Sequence, residues 1–271
     1  MKEQYAVKTF FSLFVILSLV FVSFYLYLFF SNQTDPENST FLLFTSLYGL
    51  IPLFGSMMGL LSAKIWNYNK SVVGFSILLF SAGLFLQFLG QATYTYYLNF
   101  LGIEPPYPSV ADFAFIGSLL LYLFGAIELT KIANIKSSWQ YSKLRIASAV
   151  IGIVVFIFAF YQFVANHDFE SEPNLLYITL EIAYPLLQAM YTTVSIVCIF
   201  IVRNLFGGKV SRSILLILGG LISQYIADSF FLWTPRILTD GFYMFSYILI
   251  SMGVCLFAVY IIDKTSKDYK A

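Results

Sequence analysis

Asp228 stands four residues beyond Gln224 inside an otherwise apolar run. On a helix that spacing puts both side chains on one face. At 1.5 Å rise per residue, Asp228 lies about 10 Å from Pro235, where the run ends. An acid at the centre of a membrane helix costs roughly 2.5–3.5 kcal/mol, and somewhat less nearer the surface. Asp228 therefore needs a partner or a water-filled cavity. Two readings are open: part of a functional site, or a helix-to-helix hydrogen bond from a protonated Asp228 to a distant glutamine. Gln87 and Gln91 repeat the same spacing earlier in the chain.

Four further charged residues belong with them. Glu181 lies one turn before Pro185, and a proline leaves the carbonyl one turn back without its helical partner. Coordination of a ligand there competes with a plainer role, an acid reaching for the headgroups. Asp112 and Asp240 each stand near the start of an apolar run, where a carboxylate can cap free N–H groups and meet the positive helix end. Arg236 is close to Asp240 in sequence and within reach of Asp228 or Asp112. Tyr94, Tyr96, Tyr97, Tyr107 and Trp233 cluster near the same run ends, which reads for most of them as an interfacial aromatic belt. Glu128 and Lys131, three apart, make an interfacial ion pair.

Other chemistries lack their residues. The one histidine, His167, falls between runs, so a bis-histidine haem or a histidine-rich metal centre has no ligand set. No lysine lies deep inside a run to form a Schiff base, Lys131 standing at the end of one, and HExxH, P-loop and GxSxG patterns are missing. No basic cluster inside the bilayer suggests a voltage sensor. No cofactor, metal or nucleic acid is implied. Cys198 and Cys255 read as buried free thiols.

The elements that must position these groups are helices. Hydrophobic residues make up 59% of the 271-residue chain and charged residues 11%, against about 45–50% and about 25% in soluble domains. Eight apolar stretches, near 9–30, 41–63, 72–98, 110–133, 146–165, 177–202, 213–234 and 241–262, approach or reach the roughly 20 residues that span a bilayer. Their continuity argues against a β-barrel. The expected fold is all-α and polytopic.

The chain is also written twice. Ser76-Ile77-Leu78-Leu79, Gly83-Leu84 and Gln87 return as Ser213-Ile214-Leu215-Leu216, Gly220-Leu221 and Gln224. Asp112, Ser118, Leu121 and Gly125 return as Asp240, Ser246, Leu249 and Gly253, while Leu47, Pro52-Leu53, Met57 and Ser62 return as Leu180, Pro185-Leu186, Met190 and Ser195. The expected organisation is two parallel four-helix repeats, 1–140 and 141–271, related by an axis along the membrane normal. The first helix of each shows no mutual similarity. Fourteen of the fifteen Lys and Arg residues fall on one side, Arg236 alone on the other. The positive-inside rule then makes both termini cytoplasmic in a cell-membrane protein. The first run reads as a retained anchor, and Asn32-Gln33-Thr34 and Asn38-Ser39-Thr40 match glycosylation acceptors on the outer side.

The repeats differ in one connection, where Leu101 to Ser109 replaces the shorter Pro235 to Thr239. Its three prolines make it stiff and extended, suited to a lid or docking edge over the outer mouth. Within it, Pro105-Pro106-Tyr107-Pro108-Ser109-Val110-Ala111-Asp112 resembles the PPxPSxAD motif in membrane sensor regions of prokaryotic diguanylate cyclases and histidine kinases. The resemblance implies a sensory or binding module and carries over Pro105, Pro106, Pro108, Ser109 and Asp112. The Tyr-Pro often found after that aspartate is replaced by Phe115-Ile116-Gly117-Ser118, and the chain ends soon after its last run, without an output domain.

The expected function is a non-enzymatic membrane module that binds a small ligand, lipid or partner at the outer seam between repeats. Membrane lipids, an integral membrane partner or a separate signalling protein are its expected partners. A transporter working through Gln87, Gln91, Gln224, Asp228 and Glu181 is the alternative, and a lipid-modifying enzyme using Asp112 and Asp240 comes last. Small residues at Gly55, Gly59, Gly219, Gly220 and Gly253 allow close helix contacts, internal or between subunits.

Overall fold

The computed structural model describes residues 2–33, 35, 38–132, 142–166, 175–205, 209–231 and 233–268. His167 lies outside them. The described residues are helical, with no strand among them. Among the described residues nine α-helices follow one another: α1 (Lys2–Phe30), α2 (Ser39–Leu47), α3 (Leu50–Ile65), α4 (Val72–Thr95), α5 (Val110–Ile132), α6 (Ser142–Asn166), α7 (Leu175–Leu205), α8 (Lys209–Phe230) and α9 (Arg236–Asp268). Seven of the helical segments are long and apolar enough to cross a membrane, α2 and α3 together counting as one. The fifth expected span is α6, whose apolar stretch is the shorter Ile146–Gln162.

Local sequence explains where the helices start and break. Asn38 accepts the Thr40 N–H at 2.8 Å and Ser71 accepts the Gly74 N–H at 2.9 Å, each capping a helix start. The run expected at 41–63 is broken at Tyr48-Gly49. Pro52 has no N–H for the Tyr48 carbonyl, which takes the Ile51 N–H at 3.0 Å instead. Beyond α4 the chain widens into a π-helical turn, Tyr96–Leu101, closed by Gly102 at φ 63°. Only a residue that tolerates the left-handed region ends a helix this way.

Six helices close into a ring, in the order α3, α4, α5, α7, α8, α9 and back to α3. Outside it α1 packs on α3 and α9, and α6 packs on α7. The neighbours come close through small residues. A methyl at Gly55 on α3 would fall 1.9 Å from Ser251 Oγ on α9, and one at Gly59 would fall 2.0 Å from Ser81 Oγ. A methyl at Gly220 on α8 would meet Ile250 Cγ1 at 2.6 Å, and one at Gly253 on α9 would meet the Ser213 carbonyl oxygen at 2.7 Å. These contacts are internal, which settles their use within one molecule. Gly219 has only Leu249 near, at 4.0 Å.

Apolar side chains fill one end of the ring, among them Ile77, Phe80, Leu84, Ile217, Leu221, Ile250 and Val254. Cys198 and Cys255 are buried there as free thiols. The outer faces are apolar too: Leu19, Val154 and Ile157 are about 60% exposed, as 60%, 60% and 61%. Such faces suit lipid rather than water. Trp66, just past α3, donates its indole N–H to the Phe257 carbonyl at 3.0 Å and packs edge-on against the Phe257 ring. Trp66→Phe is expected to cost about 1 kcal/mol in a denaturation midpoint, the net worth of one hydrogen bond. An unchanged midpoint would show that the indole does not tie α3 to α9.

Candidate functional site

At the other end, where α4 and α8 finish and α5 and α9 begin, the ring encloses a chamber of about 440 Å³. All eight candidate residues lie on its wall: Gln87, Gln91, Asp112, Glu181, Gln224, Asp228, Arg236 and Asp240. Every helix of the ring except α3 contributes to the lining, and Tyr48 from the break before α3 completes it.

Each aspartate is held by a tyrosine hydroxyl. Tyr243, on α9, donates to Asp228 Oδ1 at 2.5 Å. Tyr48 donates to Asp240 Oδ1 at 3.2 Å, and Tyr184, on α7, to Asp112 Oδ1 at 3.2 Å. Gln87 is bound the same way, accepting from Tyr247 at 3.0 Å while its amide N–H donates to Ser118 Oγ at 2.5 Å. The expected bond between Asp228 and a distant glutamine is not the one formed. Tyr243 is the nearer donor, and Gln87 is already occupied.

Asp112 behaves as a cap and Asp240 does not. Asp112 Oδ2 accepts both the Ser109 N–H, at 2.7 Å, and the Ser109 hydroxyl, at 2.8 Å, while the Asp112 N–H returns to the Ser109 carbonyl at 3.1 Å. This is one half of a capping box: the carboxylate reaches back to the Ser109 N–H, while the return bond goes to the Ser109 carbonyl instead of its hydroxyl. α9 instead begins at Arg236, four residues ahead of Asp240, so that carboxylate is already past the first turn. It turns to Tyr48 and to Arg236, whose Nε lies 3.7 Å from Asp240 Oδ2. Arg236 thus goes to Asp240, with its guanidinium 5.9 Å from the ring centres of both Phe41 and Tyr94. Gln91 crosses to α2, donating to the Thr45 carbonyl at 3.3 Å. Glu128 and Lys131 form the expected ion pair, away from the chamber.

Pro105, Pro106, Tyr107 and Ser109 of the stiff connection line the chamber. Tyr107 packs edge-on against Tyr177 of α7, with ring centres 5.1 Å apart. Burial raises the Tyr107 phenol above its ordinary value, and the charges of Asp112 and Glu181 raise it further. It therefore stays a neutral donor. The Tyr107–Pro108 peptide is cis. Of the aromatic residues read as a belt, Tyr94, Tyr107 and Trp233 face the chamber instead, while Tyr96 does not line it.

No family model matches this chain, and no curated protein or solved structure matches it either. The site therefore has to be read from its own atoms. Sequence reasoning missed four of its tyrosines. Tyr243 and Tyr247 follow Asp240 by three and seven residues, a helical-face pattern that was there to be read. Tyr184 stands beside Pro185, but Tyr48 meets Asp240 across 192 residues and carries no local signal.

The balance of donors and acceptors decides what the chamber can do. Gln224 Oε1, Asp228 Oδ2 and Asp240 Oδ2 are buried without a hydrogen-bond partner among the described residues. Buried polar atoms are nearly always paired, with protein or with ordered water, so these acceptors call for a partner, a water or a bound molecule. Among the described residues no three His, Cys, Asp or Glu groups converge on one point that could hold a metal ion. Farther from the mouth, the hydroxyls of Tyr122, Tyr191, Thr192, Ser195, Ser246 and Ser251 are likewise buried and unpartnered among the described residues.

Proposed function

We propose that this chain is a multi-pass protein of the cell membrane that binds a small molecule, without transforming it, in the chamber between its two halves. The observation that carries this reading is the chamber itself, walled by both halves and holding buried acceptors that have no hydrogen-bond partner among the described residues. α6 supplies the eighth span. The parallel-repeat organisation is supported by matching neighbours in the two halves. α4 packs on α5 as α8 packs on α9, and α3 meets α9 as α5 meets α7. Lys64, Lys70, Lys131 and Arg212 stand at the helix ends away from the chamber, which by the positive-inside rule turns the mouth outward and leaves both termini in the cytoplasm. The likeness of the Pro105–Asp112 stretch to membrane sensor regions agrees with a sensory use, with output through a separate protein or through a complex of which this chain is a subunit.

One observation favours a second reading, a transporter. The buried hydroxyls from Tyr122 to Ser251, unpartnered among the described residues, leave polar groups in the ring beyond the chamber lining. The apolar end of the ring is closed in this structure.

Native mass spectrometry of the protein released from its own membrane tests the binding reading. The wild type is expected to carry a small-molecule adduct that Asp228→Asn loses or carries at reduced occupancy. A wild type that carries only a stable protein partner, with the same small-molecule content in Asp228→Asn, would make Asp228 structural and this chain a subunit without a ligand.

A further inference from the structure

Much of the chamber's donor capacity is spent on its own acceptors, although the Ser229 hydroxyl on its wall is buried without a partner among the described residues. The hydroxyls of Tyr48, Tyr184, Tyr243 and Tyr247 are all committed to carboxylates or to Gln87. Four carboxyl groups line the wall, Asp112, Glu181, Asp228 and Asp240, against the single guanidinium of Arg236. Asp112 is fully bonded to Ser109 and Tyr184, and Asp240 shares Arg236. Asp228 is different. One of its oxygens takes Tyr243 while the other, Oδ2, is buried and unpartnered among the described residues. One turn deeper on the same helix face, Gln224 is 2% exposed and its Oε1 is also unpartnered among them.

The spacing of that pair is informative. Side chains four apart on a helix are about 5–6 Å apart at Cβ. Two hydrogen bonds of about 2.8 Å from one ammonium nitrogen diverge at its tetrahedral angle and join acceptors about 4.5 Å apart, a separation that side chains on that spacing can reach. A single donor atom with two or more N–H groups and a positive charge therefore fits between Asp228 and Gln224. A metal ion fits poorly, since the carboxylates are spread around the wall instead of converging. An anion would face the unpartnered oxygens of Asp228 and Gln224, and among the described lining residues Arg236 is the one cation, already paired with Asp240. Toward the mouth the wall becomes aromatic and apolar, with Phe115, Tyr184, Phe231 and Trp233, and such rings accommodate both an apolar body and a cation.

We propose that the ligand is an organic primary amine, its ammonium group bridging Asp228 Oδ2 and Gln224 Oε1 and its apolar body lying along the aromatic wall. The proposal rests on the binding reading above and narrows it to one chemical class.

The test uses calorimetric titration of the full chain in lipid nanodiscs with four probes of similar shape. These are phenethylamine, its trimethylammonium derivative, phenethyl alcohol and hydrocinnamate. Loss of a charge-assisted hydrogen bond lowers affinity by about tenfold or more. The primary amine is thus expected to bind at least about tenfold more tightly than each of the other three. Asp228→Asn and Gln224→Leu are expected to remove that preference. The comparison among probes needs no variant, so it holds even where a substitution fails to fold.

An alcohol or carboxylate that binds as well as the amine overturns the ligand class and leaves the chamber a binding site. A trimethylammonium probe that equals the primary amine overturns the bridging geometry, because that probe has no N–H to give. Binding by none of the four at about 10 mM, a concentration that detects even millimolar affinity, overturns the amine class. The broader reading then stands or falls on the mass-spectrometric adduct alone.

Discussion

Gly253→Ala is expected to lower the melting temperature of the purified protein, whereas Gly219→Ala leaves it unchanged or slightly raised. At Gly253 the new methyl falls 2.5 Å from Ile217 Cγ1 and 2.7 Å from the Ser213 carbonyl oxygen. The isoleucine can turn aside. The carbonyl belongs to the backbone of α8, so α8 and α9 must move apart, and overpacking of this kind costs about 1–3 kcal/mol. At about 2 °C per kcal/mol for a chain of this size, the drop is about 2–6 °C. Gly219 has room, with only Leu249 Cδ1 at 4.0 Å, and alanine is the better helix former by about 0.5–1 kcal/mol. Equal melting temperatures for the two variants would mean that α8 and α9 are not packed this closely.

The second large effect is expected at Gln87. Its side chain accepts from Tyr247 on α9 and donates to Ser118 on α5, so one residue of α4 ties both halves of the ring together. Gln87→Leu leaves the Tyr247 hydroxyl buried without its acceptor, which costs about 1–3 kcal/mol, and Tyr247→Phe strands the Gln87 oxygen at a similar cost. The double variant replaces both partners with apolar groups and is expected to recover much of the loss. A double-mutant cycle by chemical denaturation should then show coupling of about 1 kcal/mol or more. Simple additivity would remove Gln87 from its place as the tie between halves.

The long helices and the eight wall residues were legible because polar groups inside apolar runs are conspicuous. An acid such as Asp228 among leucines and isoleucines announces that something must meet it. What meets it was not legible, since the partners are set by packing. Tyr184 and Asp112 are 72 residues apart, and Tyr247 and Gln87 are 160 apart. The recurrence of Asp112 as Asp240 suggested equal roles, yet α9 starts four residues before its aspartate and α5 only two before. That small difference in helix start turns one carboxylate into a cap and sends the other to Tyr48 and Arg236. The break at Tyr48-Gly49 was readable in principle from Pro52, whose missing N–H leaves the Tyr48 carbonyl unpaired within the helix.

The two places where the halves meet are made of different materials. Along α3 and α9 the backbones approach through Gly55 and Ser251, with Tyr48 stacked on Tyr247 at a centroid distance of 6.2 Å. Close-packed contacts of this kind deform little. Along α5 and α7 the helices pack as well, and near the mouth the join adds the tips of side chains, Tyr107 against Tyr177 and the Tyr184 hydroxyl on Asp112. Such tips can part without unpacking a helix. Widening the mouth therefore asks less of the contacts beside the proline-stiffened connection than of the glycine-lined seam along α3 and α9.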